Sequence, residues 1–165
     1  MTESIAQKPK LGISACLLGH KVRYNGKNKY KPELIAFLSR YFYLVPFCPE
    51  VEAGLGIPRL PIVLQKKNGQ IRAIQGQLDV SKALSALGRR LDFLDIVGYV
   101  FKSQSPSCGL AVPIHDDQGM AQGLFAEALL EDKTIVAIEE EALQTEAARK
   151  CFIEKALAKA CKYGD

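Results

Sequence analysis

Two kinds of apolar pattern alternate along this chain. Short apolar runs bounded by Gly and Pro are followed by stretches with helical spacing, the signature of successive βαβ units. Leu11 to Cys16 reads as a short buried strand. A Gly-punctuated loop runs from Gly19 to Lys31, and Pro32 suits the first position of a helix whose apolar face is Leu34, Ile35, Leu38 and Tyr41. Tyr43 to Phe47 reads as the second strand, with Pro46 an obstacle to interior pairing. Leu60 to Lys66 and Gln70 to Ile74 read as extended pieces joined at Asn68-Gly69, a good hairpin turn. Val80, Leu84, Leu87, Leu91 and Leu94 make a helical stripe with Asp79 as its N-cap. Ile96 to Phe101 is a strongly apolar strand, and Gly109 to Ile114 another extended piece. A helix over Leu124 to Leu130, a strand over Thr134 to Ile138 and a long amphipathic helix over Ala142 to Lys162 complete the series. The expected fold is α/β: one Rossmann-like domain over residues 11–165, with a mostly parallel sheet flanked by helices, behind a flexible tail at residues 1–10.

Composition narrows the classes. The chain has 165 residues, enough to bury a core without disulfide staples. No window approaches the ~18 apolar residues of a spanning helix, and Met1 to Lys10 has no signal-peptide core, so a cytoplasmic protein without a membrane partner is expected. Five cysteines in such a chain argue for metal or redox chemistry over structural disulfides. The net charge of +4 is compatible with phosphate-bearing partners without requiring them.

Three of the cysteines share a placement. Cys16 and Cys48 close the first two strands, and Cys108 lies in the loop after the strand ending at Phe101. Ligands of parallel α/β sheets bind outside the carboxyl ends of the strands, so three chain-distant thiols are expected at one edge. Each sits in Pro or Gly turn chemistry, as in Cys48-Pro49-Glu50 and Ser105-Pro106-Ser107-Cys108-Gly109. Zinc sites usually pair their ligands a few residues apart and use four. Three thiolates instead suit a 4Fe-4S cluster with one iron left open as a Lewis acid. Buried, unligated cysteines are the plain alternative, since free Cys packs as a small apolar residue.

At these residues the sequence resembles the thiouracil desulfidase (TudS-like) family. The resemblance rests on Ile13 to Gly19, Val22 to Gly26, Cys48 to Val51, Gly54 to Arg59, and Lys102 through Ser105 to Gly109, and extends from about Leu11 to Glu141. It implies a 4Fe-4S cluster held by Cys16, Cys48 and Cys108, with the open iron taking the sulfur of a thiolated uracil and the C–S bond replaced by C–O, releasing hydrosulfide. It implies catalytic roles for Glu50 and Ser105. Arg23 and Lys102 are candidate substrate contacts, Arg23 because it lies inside a family block and Lys102 as a cation at a strand end. The expected partner is a small thionucleobase or thionucleoside, with modified RNA as a second candidate. A non-catalytic iron–sulfur sensor or sulfur carrier, a zinc hydrolase and a nucleotide-binding module are the rival readings. Two positions depart from the family pattern: Asn25 stands where Asp is usual, and His115 where an aromatic is frequent.

Other features carry less. His20 and His115 have no partner motif for a Ser-His-Asp arrangement. Cys151 and Cys161 sit on one helix ~15 Å apart along its axis and cannot pair. Lys21, Arg23, Lys27, Lys29 and Lys31, interleaved with Tyr24 and Tyr30, read as a solvated basic loop that could touch a phosphate. Gly54-Leu55-Gly56 lacks the third glycine and the helix of a dinucleotide fingerprint.

Overall fold

A computed structural model describes residues 7–90, 95–131 and 135–163 of the chain. Its centre is a four-stranded parallel sheet in the order β2-β1-β6-β9. The strands are β1 (Lys10–Ser14), β2 (Tyr43–Phe47), β6 (Ile96–Phe101) and β9 (Val136–Glu139). Between β2 and β6 lie the antiparallel β3 (Ile62–Lys67), β4 (Gln70–Gln75) and β5 (Leu78–Asp79), a sheet of their own. Two short strands, β7 (Val112–Pro113) and β8 (Met120–Ala121), pair after β6. The fold is thus a Rossmann-like single α/β domain, and the hairpin strands sit outside its parallel sheet.

Helices cover both faces. Helix α1 (Pro32–Ser39) and α5 (Glu146–Tyr163) pack on one, through Leu34, Leu38, Phe152, Ile153 and Ala156 against Leu11, Ile13 and Val100. Helix α3 (Ser81–Arg90) and α4 (Leu124–Leu130) pack on the other, through Leu87, Phe125 and Leu129 against Ile96, Tyr99 and Phe101. Full burial of each large apolar side chain contributes roughly 1.5–3 kcal/mol. A bulge sets the alternation in β6. Its register with β1 slips between Lys10↔Ile96 and Leu11↔Gly98, which leaves Val97 as an extra residue. Beyond it Val100 faces α1 and α5, while Tyr99 and Phe101 face α3 and α4.

Most expected elements are present, with shifts that local chemistry explains. The Asn68-Gly69 hairpin forms, with both residues at positive φ (52° and 78°). Asp79 accepts the Ser81 amide at the start of α3 (3.0 Å). Pro46 is tolerated because β2 is an edge strand. Cys16, expected to close β1, instead lies in a 3-10 turn over Ala15–Leu18 that ends at Gly19 in the left-handed region (φ 93°). Pro49–Glu52 forms a short helix, α2, started by a proline. The C-terminal helix begins at Glu146 rather than Ala142, since Thr145 Oγ1 accepts the Ala148 amide (3.1 Å) and a 3-10 turn holds Glu140–Leu143. Lys10 belongs to the sheet and not to the expected tail, and Pro9 O accepts the Tyr43 amide (3.0 Å). Residues 1–6 of that tail, Leu91, Leu94 and Thr134 lie outside the described residues. Among the described residues no helix is long and apolar enough to cross a membrane.

Gly12 is the position in β1 where size is most restricted. A Cβ there would lie 2.4 Å from Cδ2 of the fully buried Tyr99 ring. Gly12→Ala is expected to destabilise the fold by about 1–3 kcal/mol, the usual cost of overpacking, measured by urea unfolding; an unchanged midpoint would show that the ring can move aside.

Candidate active site

Register places one row of residues at the carboxyl edge of the sheet. Ser14 pairs with Phe47, Ile13 with Val100, and Phe101 with Glu139, so the four strands end level. The residues that follow turn into one cavity of about 380 Å³. Cys16, Cys48 and Cys108 all line it, together with Glu50, Ser105, Arg23 and Lys102. Every site residue singled out from the sequence therefore faces the same space.

Cys16 and Cys108 are buried and Cys48 is half-buried; none is in a disulfide. Burial pushes the Cys16 thiol up to about 11, the nearby Cys48 adds to the push, and Lys102 and Arg23 oppose it. Cys48 is raised by burial, against an opposing hydrogen bond from the Val51 amide, with Glu50 adding to the rise. Its thiol points to Val22 O (3.9 Å). Cys108 is raised well above the ordinary thiol value by burial, with Ser14 opposing and then Cys48, Glu50 and Cys16 adding. Cys16 is thus affected by Cys48, and Cys108 by both Cys48 and Cys16. Any cation loaded there must displace protons from them, so loading weakens as pH falls.

Glu50 is held on both carboxylate oxygens. Oε1 accepts Arg59 Nε (3.0 Å) and Oε2 accepts the Ser107 hydroxyl (2.8 Å). Arg59 is itself almost fully buried and also donates to Gly56 O (2.9 Å) and Val22 O (2.8 Å). A fork that satisfied fixes the carboxylate in one orientation. Ser105 Oγ accepts the amides of Ser107 (3.3 Å) and Cys108 (3.1 Å), which shapes the loop and leaves its own proton to donate. The Lys102 ammonium is not free: it pairs with Glu140 Oε1 (3.0 Å) and donates to Ser103 O (2.7 Å) and Oγ (3.0 Å). Glu140 also accepts the Ser103 amide (2.7 Å), so this buried pair is satisfied on both sides. Gln104 in the same loop holds φ 61°, an uncommon conformation for a residue of its kind and one that collects at functional sites.

The basic loop is pinned over the turn that carries Cys16. The Lys29 amide donates to Cys16 O (2.9 Å) and the Lys31 amide to Leu17 O (3.1 Å). Its lysines are exposed, as a solvated loop requires, but Arg23 is half-buried and Arg23, Tyr24 and Lys29 reach the cavity wall. Asn25 Oδ1 accepts the Lys27 amide (3.1 Å), so it works as a turn former, a task Asp and Asn share. His115 is exposed beside Asp116 and is not part of the cavity wall.

Sequence reasoning missed Arg59, Ser107, Glu140, Ser14 and Tyr99. Arg59 and Ser107 lay within blocks already singled out, but nothing local says that they grip Glu50. Ser14 Oγ accepts the Lys102 amide (3.0 Å), which ties the end of β1 to the end of β6. The Tyr99 hydroxyl is buried with no hydrogen-bond partner, the one such side-chain atom among the described residues. An unmatched buried hydroxyl costs about 1–3 kcal/mol. Gly123 is the other residue missed. A Cβ there would lie 2.4 Å from Ser107 C and 2.8 Å from Cys108 N.

Such a fold and edge define an α/β protein with a thiol-lined strand-end cavity, equipped with a fixed carboxylate and suited to a soft ligand. The chain belongs to the 2-thiouracil desulfurase family, whose model matches residues 11–141. A solved structure of the [4Fe-4S]-dependent thiouracil desulfidase TudS is similar to it, at 30% sequence identity and a TM-score of 0.66, covering 87% of this chain and 99% of that one. No curated protein sequence matches it.

Two outcomes follow from the geometry. Protonated thiols are poor nucleophiles, so iodoacetamide at pH 8 should label the exposed Cys151 and Cys161 ahead of Cys16 and Cys108, read by peptide mass mapping. Gly123→Ala should push Ser107 and Cys108 out of place, bringing early labelling of Cys108 and a lower urea midpoint; late labelling there would mean that the loop tolerates the methyl group.

Proposed function

We propose that this protein is an iron–sulfur-dependent desulfidase that removes sulfur from a thiolated uracil or a related thionucleobase and releases hydrosulfide. The observation that carries the reading is the convergence of Cys16, Cys48 and Cys108 with Glu50 on one cavity at the strand ends, in a chain of this family.

Cys16, Cys48 and Cys108 are the residues that would hold a 4Fe-4S cluster. Among the described residues no three His, Cys, Asp or Glu side chains are gathered around a single-ion site. The bound cluster would supply an iron without a cysteine ligand, a Lewis acid for the thione sulfur.

The chain's own groups then handle water and protons. Replacing C=S by C=O consumes one water and releases the sulfur as hydrosulfide. Glu50, fixed by Arg59 and Ser107, keeps a free lone pair on each oxygen to accept the proton of the attacking water. The Ser105 hydroxyl, an acceptor for two loop amides, has its own proton to give to the ring or to the departing sulfur. Arg23 orients the substrate from the rim of the cavity. Lys102, held by Glu140, contributes a fixed positive charge to the wall rather than a mobile contact. A free base or nucleoside is the fitting substrate, and modified RNA would have to approach across the loop of Lys21, Lys27 and Lys29. Free buried thiols of this kind suit the reducing cytoplasm.

The test is anaerobic reconstitution with iron and sulfide, followed by a hydrosulfide assay with 2-thiouracil. Wild type should gain the broad visible absorption of a thiolate-bound cluster and release hydrosulfide. Cys48→Ala should lose both. Glu50→Gln should keep the colour and lose turnover by roughly 10²–10⁴-fold, the size of a general-base contribution. Colour without hydrosulfide from any thiobase would instead indicate an iron–sulfur sensor or sulfur carrier.

A further inference from the structure

Tyr99 carries a buried polar group that the proposed chemistry leaves unused. It stands in the centre of β6 with no solvent exposure, and its hydroxyl has no hydrogen-bond partner. The ring cannot easily turn to find one. It lies over Gly12 of β1, against which it is paired in register, and a Cβ there would meet it at 2.4 Å. Phe101 packs on it with centroids 4.4 Å apart, and Phe125 meets it edge-on at 5.7 Å.

The surroundings of the hydroxyl are specific. Tyr99 shares its buried cluster with Cys108. Burial raises the pKa of the phenol well above its ordinary value, Cys108 and then Cys48 add to the rise, and the Ser14 hydroxyl opposes it. The Ser14 hydroxyl is near enough to oppose the rise at both Tyr99 and Cys108, yet it forms no hydrogen bond with the phenol and accepts the Lys102 amide instead (3.0 Å). An unpartnered donor buried in one apolar cluster with Cys108 is what a sulfur-rich anionic group would use. Hydrogen bonds to cluster sulfurs raise the reduction potential and slow ligand loss.

We infer that the Tyr99 hydroxyl is a positioning group that donates a hydrogen bond to a sulfur of the centre held by Cys16, Cys48 and Cys108. This rests on the iron–sulfur reading proposed above. Tyr99 touches no substrate; it acts by fixing and electrostatically tuning the centre.

Tyr99→Phe keeps the ring and removes only the donor. Without iron, the variant should be at least as stable as wild type in urea, because the lost hydroxyl had no partner there. After anaerobic reconstitution, its cluster should show a more negative midpoint potential in a spectroscopically monitored redox titration. It should also lose iron to a chelator about tenfold faster or more, the usual effect of removing an outer-shell partner. Equal potential and equal iron loss in wild type and Tyr99→Phe would overturn the inference and leave the desulfidase reading standing. A marked loss of stability in the iron-free variant would also overturn it, by showing that the hydroxyl serves the apo fold. If wild type itself takes up no cluster, the iron–sulfur reading fails and this inference falls with it.

Discussion

The level ending of the parallel strands is the constraint on which the rest of this protein depends. Parallel pairing forces β1, β2, β6 and β9 to point the same way, and their register brings Ser14, Phe47, Phe101 and Glu139 into one row. Much of the chemistry begins close to that row: Cys16 two residues on, Cys48 and Lys102 one residue on, and Glu140 likewise, with Cys108 further out on the loop after β6. Strand order adds the second element. With β2 on one side of β1 and β6 on the other, the chain reverses its winding at β1, and the crevice opens where the loops part in opposite directions. The bulge at Val97 belongs to the same scheme, since without it Tyr99 and Phe101 would change faces and the core beneath the site would turn inside out.

Charge and polarity at the edge are almost completely matched. Glu50 with Arg59 and Ser107, and Glu140 with Lys102 and Ser103, are two buried networks in which each carboxylate has partners on both oxygens. Such pairs add little net stability, since desolvation offsets their attraction, but breaking one costs about 3–5 kcal/mol and so holds the geometry. They flank the thiols from opposite ends of the row, Glu50 beside Cys48 and Glu140 beside the end of β6. The thiols themselves are held neutral by burial. Against that background the unmatched Tyr99 hydroxyl is an exception among the described residues.

Loop packing completes the site. Residues 105–109 are shaped by Ser105, tied to β9 by the Leu110 amide on Glu139 (3.1 Å), and pressed against Gly123 at the start of α4. The 19–31 loop is fastened to the turn at Cys16 by Lys29 and Lys31. Both walls of the cavity are therefore held by backbone contacts, which suits ligands that must be placed to within about half an ångström.

Local pattern alone determined the α/β class, the four main strands, the helices α1, α3, α4 and α5, the Asn68-Gly69 hairpin and the convergence of Cys16, Cys48 and Cys108. Those features rest on periodicity, on Pro and Gly, and on the rule that parallel strands share their carboxyl edge, all of which act over a few residues. Only the tertiary structure decided that Arg59 and Ser107 grip Glu50, that Glu140 claims Lys102, that Asn25 merely turns the chain and His115 stands apart, and that Tyr99 is left without a partner. Apart from the turn at Asn25, each of those facts depends on which side chains from different loops or strands meet and which do not. Such contacts are set by register, by the bulge at Val97 and by the space left at Gly12 and Gly123, and no periodicity in the chain encodes them.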